Sequence, residues 1–233
     1  MFGIPLKVRA LDGVSFFMNE FETLGVVGES GSGKSTLAKI ITRLIPPTSG
    51  GVRFDPQAIR DLRRDVQIIF QNPYASLDPR MRIGDAVAEP MVIQKKGDAR
   101  RRRERVRELL DSVGIDPASA GRFPSQFSGG QRQRVCIARA LACEPKFLVL
   151  DEPVSSLDLT VQLRLMELLA KLKKDLRLTY VFISHNLAVI QFIADSVLVM
   201  KGGRVVEHGP REEIFRTPRE AYTRSLIEAG TRA

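Results

Sequence analysis

The sequence predicts an α/β fold with a mostly parallel sheet, and three observations carry that prediction. Short β-branched runs alternate with segments in which apolar residues recur at helical spacing. A glycine-rich loop joins the first predicted strand, Thr23–Val27, to a helix. A fully apolar run at 147–150 ends in two carboxylates, and ligands of parallel sheets bind at the carboxyl ends of strands.

Five strands are predicted in chain order. They lie at residues 23–27, 66–70, 147–150, 180–183 and 196–200. Each is short, rich in Val, Ile, Leu or Phe, and almost free of charge, as buried parallel strands are.

Two amphipathic helices follow from the apolar spacing. The apolar stripe of the first helix comprises Leu37, Ile40, Ile41, Leu44 and Ile45, after which the Pro46-Pro47 pair ends it. The stripe of the second comprises Leu159, Leu163, Met166, Leu169 and Leu172. Both helices would pack on the sheet.

The middle of the chain, residues 71–129, has turn signals and charged helical segments but few strand signals, so it is predicted to be a helical insertion. It contains a run of basic residues: Lys95, Lys96, Arg100, Arg101, Arg102, Arg103, Arg105 and Arg107. Two interpretations stay open, a solvated helix face or contact with nucleic acid or lipid head groups. The absence of interleaved aromatic residues weakens a stacking platform for single strands.

Length and composition limit the number of domains, the location and the classes of partner. The chain has 233 residues, of which 43% are apolar and 27% charged, which excludes disorder and allows one large domain or two small ones. Its apolar runs fall far short of the roughly 18 residues that cross a bilayer, and no secretory signal is visible, so we expect a cytoplasmic location. The net charge of +9 suits phosphate-rich, acidic or anionic-membrane partners.

Two cysteines, Cys136 and Cys143, fall within one predicted helix. Their separation is too large for a disulfide, so both are expected to be buried free thiols.

The glycine-rich loop fits the phosphate-loop pattern G-x-x-x-x-G-K-[ST], in the strand-to-helix context that the pattern requires. Its inward N–H groups and the helix N-terminus would bind a polyphosphate, with Lys34 on the β- and γ-phosphates and Ser35 on Mg²⁺. The predicted ATP-binding residues are Gly28, Glu29, Ser30, Gly31, Ser32, Gly33, Lys34, Ser35 and Thr36. The alternative, without a nucleotide, is a glycine-rich turn with a surface lysine.

The two carboxylates after the third strand narrow the range of reactions that the site could catalyse. Asp151 could hold Mg²⁺ through water, and Glu152 could act as the general base for the water that attacks the γ-phosphate. The alternative for Glu152 is a solvated carboxylate at a strand end. A phosphate loop by itself leaves kinases, GTPases, helicases and transport ATPases open.

A second motif, Ser128-Gly129-Gly130-Gln131 ahead of a helix, resembles the signature of ATP-binding cassette (ABC) ATPases. Ser128 would cap the helix, and the glycines would expose backbone N–H groups to a phosphate. The resemblance implies that this signature completes the site of a second ATPase subunit, identical or different (a homo- or heterodimer), with two ATP molecules sandwiched between the two.

The resemblance extends to further residues along almost the whole chain. Gln71 matches the glutamine that contacts Mg²⁺ and the attacking water, so the implied magnesium set is Ser35, Gln71 and Asp151. Asp158 matches an aspartate that contacts the partner subunit, and His185 matches a histidine that bonds the γ-phosphate. A lone histidine after a strand is otherwise most often structural.

The fold implied by the resemblance is a phosphate-loop NTPase (RecA-like) core with an N-terminal antiparallel β part. The core would comprise residues 1–71 and 146–209. The helical subdomain, which includes the signature, would comprise residues 72–145, and residues 210–233 would form a helical tail. Together they would form one nucleotide-binding domain. An aromatic residue normally stacks on adenine, and Phe2 is the candidate here.

Three stretches, 70–80, 151–158 and 218–229, resemble the importers of oligopeptides, dipeptides and nickel. That resemblance implies two membrane permease subunits, an extracytoplasmic substrate-binding protein, no nucleic acid, and a place on the cytoplasmic face of the membrane. Residues 71–82 would receive a permease helix. The competing hypotheses are a non-transport ABC ATPase acting on nucleic acid or ribosomes, and a regulatory subunit without turnover.

Overall fold

A computed structural model describes residues 8–155 and 157–230. Within them a six-stranded sheet runs in the order β2-β3-β4-β1-β5-β6. Its strands are β1 Thr23–Val27, β2 Val66–Ile69, β3 Phe147–Asp151, β4 Thr179–Ile183, β5 Ser196–Lys201 and β6 Arg204–Pro210. The first five pair in parallel, and β6 pairs antiparallel with β5. The α/β class with a mostly parallel sheet is confirmed.

The described residues contain ten α-helices. They are α1 Lys34–Ile41, α2 Leu62–Asp65, α3 Pro73–Ser76, α4 Ile83–Ile93, α5 Ala99–Ser112, α6 Gly129–Leu141, α7 Leu159–Leu176, α8 Leu187–Ile193, α9 Arg211–Arg216 and α10 Ala221–Gly230. Two 3₁₀ segments, Pro117–Gly121 and Pro124–Gln126, precede α6.

All five predicted strands are present, and their ends move by one residue at most. The antiparallel part lies elsewhere than predicted: among the described residues it is the C-terminal pair β5 and β6, and residues 8–22 form no strand. β6 was not predicted because its charged and imidazole side chains break the apolar run of an edge strand. The Gly202-Gly203 turn before it is a hairpin signal that could have revealed it.

The first helix ends earlier than its apolar spacing predicts. α1 stops at Ile41, and Arg43 adopts a left-handed φ of 56°. The Arg43 and Leu44 N–H groups donate to the carbonyls of Ile40 and Lys39, at 3.0 and 2.8 Å. This is the helix-ending pattern usually built around glycine, so backbone bonding ends the helix before the proline pair does.

The second predicted helix is present as α7, but its buried face differs from the predicted stripe. Leu165, Met166, Leu169 and Leu172 are buried, whereas Leu159 and Leu163 are exposed. The first two turns of α7 therefore do not pack on the sheet.

Between β2 and β3 the described chain contains helices and no strand. α4 and α5 pack on α6 through residues of one apolar cluster that continues into the sheet. Cys136 and Cys143 are buried and free, as predicted, and burial raises the pKa of the Cys136 thiol to about 12. None of the helices in the described part of the chain has the length and hydropathy to cross a bilayer.

Candidate active site

The phosphate loop, residues 28–36, has the backbone conformation that its glycines were predicted to allow. Gly28, Gly31 and Gly33 have φ values of 148°, 80° and 101°. At Gly28 a Cβ would lie 2.1 Å from the Met200 carbonyl oxygen, and at Gly33 one would lie 2.5 Å from the Ala10 carbonyl oxygen. Glycine at these two positions therefore lets other chain segments pack against the back of the loop.

Lys34 begins α1, and its side chain is folded into the loop. Its ammonium donates to the carbonyls of Gly28 at 2.7 Å and Glu29 at 2.8 Å. Burial lowers the pKa of this ammonium, while the nearby carboxylates of Glu152 and Asp151 act in the opposite direction. The cation is thus already held where phosphate oxygens would meet the loop N–H groups.

Ser35 and Asp151 are in direct contact. The Ser35 hydroxyl donates to Asp151 Oδ1 at 3.2 Å, which joins the start of α1 to the end of β3. Asp151 is buried, and desolvation raises the pKa of its carboxyl, with the charge of Glu152 adding to that rise and the Ser35 hydrogen bond opposing it.

Gln71, Glu152 and His185 come together because β2, β3 and β4 are neighbours. The register pairs Ile69 with Leu150, and Leu150 with Phe182, so the residues just beyond the three strands lie at one edge. Glu152 Oε2 accepts from Gln71 Nε2 at 3.0 Å and lies 3.1 Å from His185 Nδ1.

Glu152 is held in an uncommon backbone conformation, with φ of 50°. Its N–H donates to the Ile183 carbonyl at 3.0 Å, and Ser155 Oγ lies within 3.2 Å of Gln71 Nε2. The Glu152 side chain is 17% exposed and that of His185 is 60% exposed. The carboxylate is therefore sheltered and fixed, while the imidazole faces solvent.

The signature, residues 128–131, forms a capping box at the start of α6. Gln131 N–H donates to Ser128 Oγ at 3.3 Å, and Ser128 N–H donates to Gln131 Oε1 at 2.9 Å. A Cβ at Gly130 would lie 2.5 Å from Val161 Cγ1. Asp158 caps α7 by accepting from the Val161 N–H at 3.0 Å. The signature and Asp158 are thus joined to each other through α7.

The predicted residues therefore form two groups. The first group joins the phosphate loop to Asp151, Glu152, Gln71 and His185, and the second joins the signature to Asp158. Phe2, the predicted adenine contact, lies outside the described residues.

Tyr222 is a residue beside the phosphate loop that the sequence did not single out. It lies on α10, and its hydroxyl accepts from the Glu29 N–H at 3.3 Å. Tyr222 lies in the stretch 218–229 that resembles the importers, but no sequence signal links it to the loop, since the two residues are 193 positions apart.

The oxygen ligands present fit a magnesium ion. Mg²⁺ prefers a few protein oxygens together with phosphate oxygens over a cage of side chains. Ser35 and Asp151 supply a hydroxyl and a buried carboxylate in contact with each other. The described residues contain no cluster of three or more His, Cys, Asp or Glu side chains suited to a metal.

The sequence matches a known family over most of this site. Residues 11–155 match the profile of the family described as ABC transporter. The chain belongs to the ABC transporter family. The match spans the phosphate loop, the signature and both carboxylates at the end of β3.

Other members of the ABC transporter family resemble the chain along nearly its full length. The di/tripeptide transport ATP-binding protein DppF of Pseudomonas aeruginosa (strain UCBPP-PA14) is 49% identical, with 96% of this chain and 72% of that protein covered. The oligopeptide transport ATP-binding protein OppF of Bacillus subtilis (strain 168) is 44% identical, with 95% and 76% covered.

Solved ABC structures share the fold. The ATP-binding cassette MJ0796, a dimer in a post-hydrolysis state bound to ADP and Pi, superposes with a TM-score of 0.77 at 31% identity, over 90% of this chain and 94% of that one. CbiO1 from Clostridium perfringens, part of the ABC transporter complex cbiONQ, gives 0.78 at 31% identity, over 89% and 84%.

Proposed function

We propose that this chain is the ATP-hydrolysing subunit of an ABC importer that powers peptide uptake through a membrane permease. One observation carries the ATPase assignment: Glu152 Oε2 is held by Gln71 and His185 at the edge where Lys34 and Asp151 lie. The names of the relatives, which are peptide-transport ATP-binding proteins, support the cargo class.

The residues of the site have two kinds of role, which are binding of ATP and transfer of a proton. Lys34 and the N–H groups of the phosphate loop bind the ATP phosphates. Glu152 accepts a proton from the water whose oxygen attacks the γ-phosphorus, as the bond to the ADP oxygen breaks. Gln71 and His185 orient that carboxylate and the water.

Ser35 and Asp151, with Gln71, would hold Mg²⁺. When bound, the ion neutralises phosphate charge. Asp151 suits this role because its carboxylate already contacts the Ser35 hydroxyl, and a cation nearby would offset the desolvation that raises its pKa.

The signature serves the ATP of a second ATPase subunit. Ser128 is exposed at the start of α6, and the glycines that follow it lie beside Leu157 and Val161, just before and within α7. The N-terminus of a thirteen-residue helix attracts anions, so an ATP presented by a partner subunit is the expected ligand. Asp158, exposed beside it, would contact that partner.

The permease contact is proposed at the segment that follows Gln71. Tyr74 on α3 is exposed, and the Arg132 guanidinium of α6 lies 3.8 Å from its ring centroid. A movement of this surface would thus reach α6 and the signature. We also propose two permease subunits as partners, a substrate-binding protein outside the membrane, and a location at the cytoplasmic face of the membrane. Within the chain, the proposed helical subdomain is 72–145 and the proposed tail is 210–233.

The nucleic-acid alternative is not favoured. Several arginines of the basic run form ion pairs or hydrogen bonds inside the helical insertion. Arg100 pairs with Glu104, Arg105 pairs with Glu108, and Arg102 donates to the Gly97 carbonyl. The relatives are named as peptide-transport proteins.

The substitution Glu152→Gln tests the proposal. It keeps the side-chain size but removes the proton acceptor, so hydrolysis should fall by at least about a hundredfold while ATP binding persists. Size-exclusion chromatography with and without Mg-ATP should show a nucleotide-dependent dimer, because blocked turnover traps the two-ATP sandwich.

Glu167→Gln is the matched control, since Glu167 is exposed on α7. It should hydrolyse ATP at the wild-type rate. Near-normal hydrolysis by Glu152→Gln would contradict the general-base role, and failure of the wild-type chain to bind ATP would contradict the function.

A further inference from the structure

The phosphate loop is also held by two segments from the C-terminal part of the chain. The Glu29 N–H donates to the Tyr222 hydroxyl at 3.3 Å, and the Ser32 carbonyl accepts from the Gly203 N–H at 3.1 Å. Tyr222 lies on α10, and Gly203 lies in the turn between β5 and β6. Two remote segments therefore fix two successive parts of the loop.

Tyr222 is itself held in place. The Lys201 ammonium lies 4.4 Å from the centroid of its ring, at a distance typical of a cation–π contact. The start of α10 is anchored by the Glu207 carboxylate, which accepts from the N–H groups of Arg219 at 2.8 Å and Glu220 at 3.3 Å. The hydroxyl is thus presented to the loop by a fixed helix.

We propose that Tyr222 is a positioning residue that pre-organises the phosphate loop for ATP. The inference rests on the proposed ATPase function. The Glu29 carbonyl accepts from Lys34, and the Glu29 N–H donates to Tyr222, so one residue links the loop cation to α10. A loop fixed before binding loses less conformational entropy when ATP binds, which strengthens affinity without a new contact to the ligand.

The substitution Tyr222→Phe removes the hydroxyl and keeps the ring under Lys201. Loss of one neutral hydrogen bond should raise the Kd for Mg-ATP about three- to tenfold. The kcat at saturating ATP should stay within about twofold, because Glu152 and its partners are untouched. Tyr222→Leu, which also removes the ring, should weaken binding further.

Two measurements on the full chain separate this inference from the function. Equilibrium titration with a fluorescent ATP analogue reports affinity. Hydrogen–deuterium exchange of peptides covering residues 28–36, without nucleotide, reports loop order, and it should be faster in Tyr222→Phe than in the wild type.

Tyr180→Phe is the matched control. Tyr180 is buried on β4 and its hydroxyl donates to the Leu169 carbonyl at 3.1 Å, so this variant loses a hydroxyl remote from the loop. It should change neither affinity nor loop exchange. If Tyr222→Phe fails to fold, Lys201→Met replaces it, and loss of the cation–π contact should raise the Kd about twofold.

Unchanged affinity and unchanged loop exchange in Tyr222→Phe would overturn the inference and leave the ATPase function intact. A wild-type chain that binds no ATP analogue would overturn the function. Exchange of the loop amides would then still decide whether Tyr222 holds the loop.

Discussion

The phosphate loop and the signature are both glycine-containing helix starts, yet their surroundings differ. The phosphate loop contacts residues near positions 10, 200 and 222, from distant parts of the chain. The signature closes on itself through Ser128 and Gln131, and its glycines lie against Leu157, just before α7, and Val161, within α7. One chain therefore builds its own phosphate loop from remote segments, whereas the signature is built locally and leaves Ser128 exposed.

The largest expected effect comes from Lys34→Ala. The Lys34 ammonium is held by two loop carbonyls and is the only cationic side chain in residues 28–36. Its loss should therefore weaken ATP binding about a hundred- to a thousandfold. Calorimetric titration with Mg-ATP measures this.

Lys39→Ala is the control for that change, because Lys39 is exposed on the same helix. It should bind ATP as the wild type does. Equal affinity of Lys34→Ala and wild type would mean that the loop does not use its lysine.

The second prediction compares two glycines of the phosphate loop. Gly28→Ala should lower the free energy of unfolding by about 2–3 kcal/mol, because its Cβ meets the Met200 backbone and its φ disfavours alanine. Gly31→Ala, which has a positive φ but no atom within 4 Å of its Cβ, should cost about 1 kcal/mol. Urea denaturation gives both values, and equal losses would show that packing behind the loop is unimportant.

The smallest predicted effect is at the signature. Ser128→Ala removes the side-chain cap of α6 and should cost about 1 kcal/mol of stability. ATP binding by a single chain should be unchanged, but steady-state hydrolysis should fall, because the second subunit would use this helix start.

Asp98→Ala is the control, since Asp98 caps α5 in the same helical insertion by accepting from the Arg101 N–H at 2.8 Å. It should lose similar stability without loss of hydrolysis. If both cap variants reduce hydrolysis equally, the effect belongs to the stability of the insertion and not to the signature.

The sequence was most informative where the signal is local. The strand at 147–150, the phosphate loop and the capping serine at 128 follow from spacing, glycine content and helix-start chemistry. It was least informative at β6, an edge strand with charged side chains, and at the end of α1. There a left-handed Arg43 ends the helix although the apolar spacing continues.

By itself, the sequence determined the fold class, the family resemblance and the types of residue at the candidate site, because these depend on short-range periodicity and motif spacing. Only the tertiary structure decided which of them meet. The adjacency of β2, β3 and β4 brings Gln71 and His185 to Glu152, and the packing of α10 brings Tyr222 to Glu29. Contacts between remote segments depend on strand order and register, which no local pattern encodes.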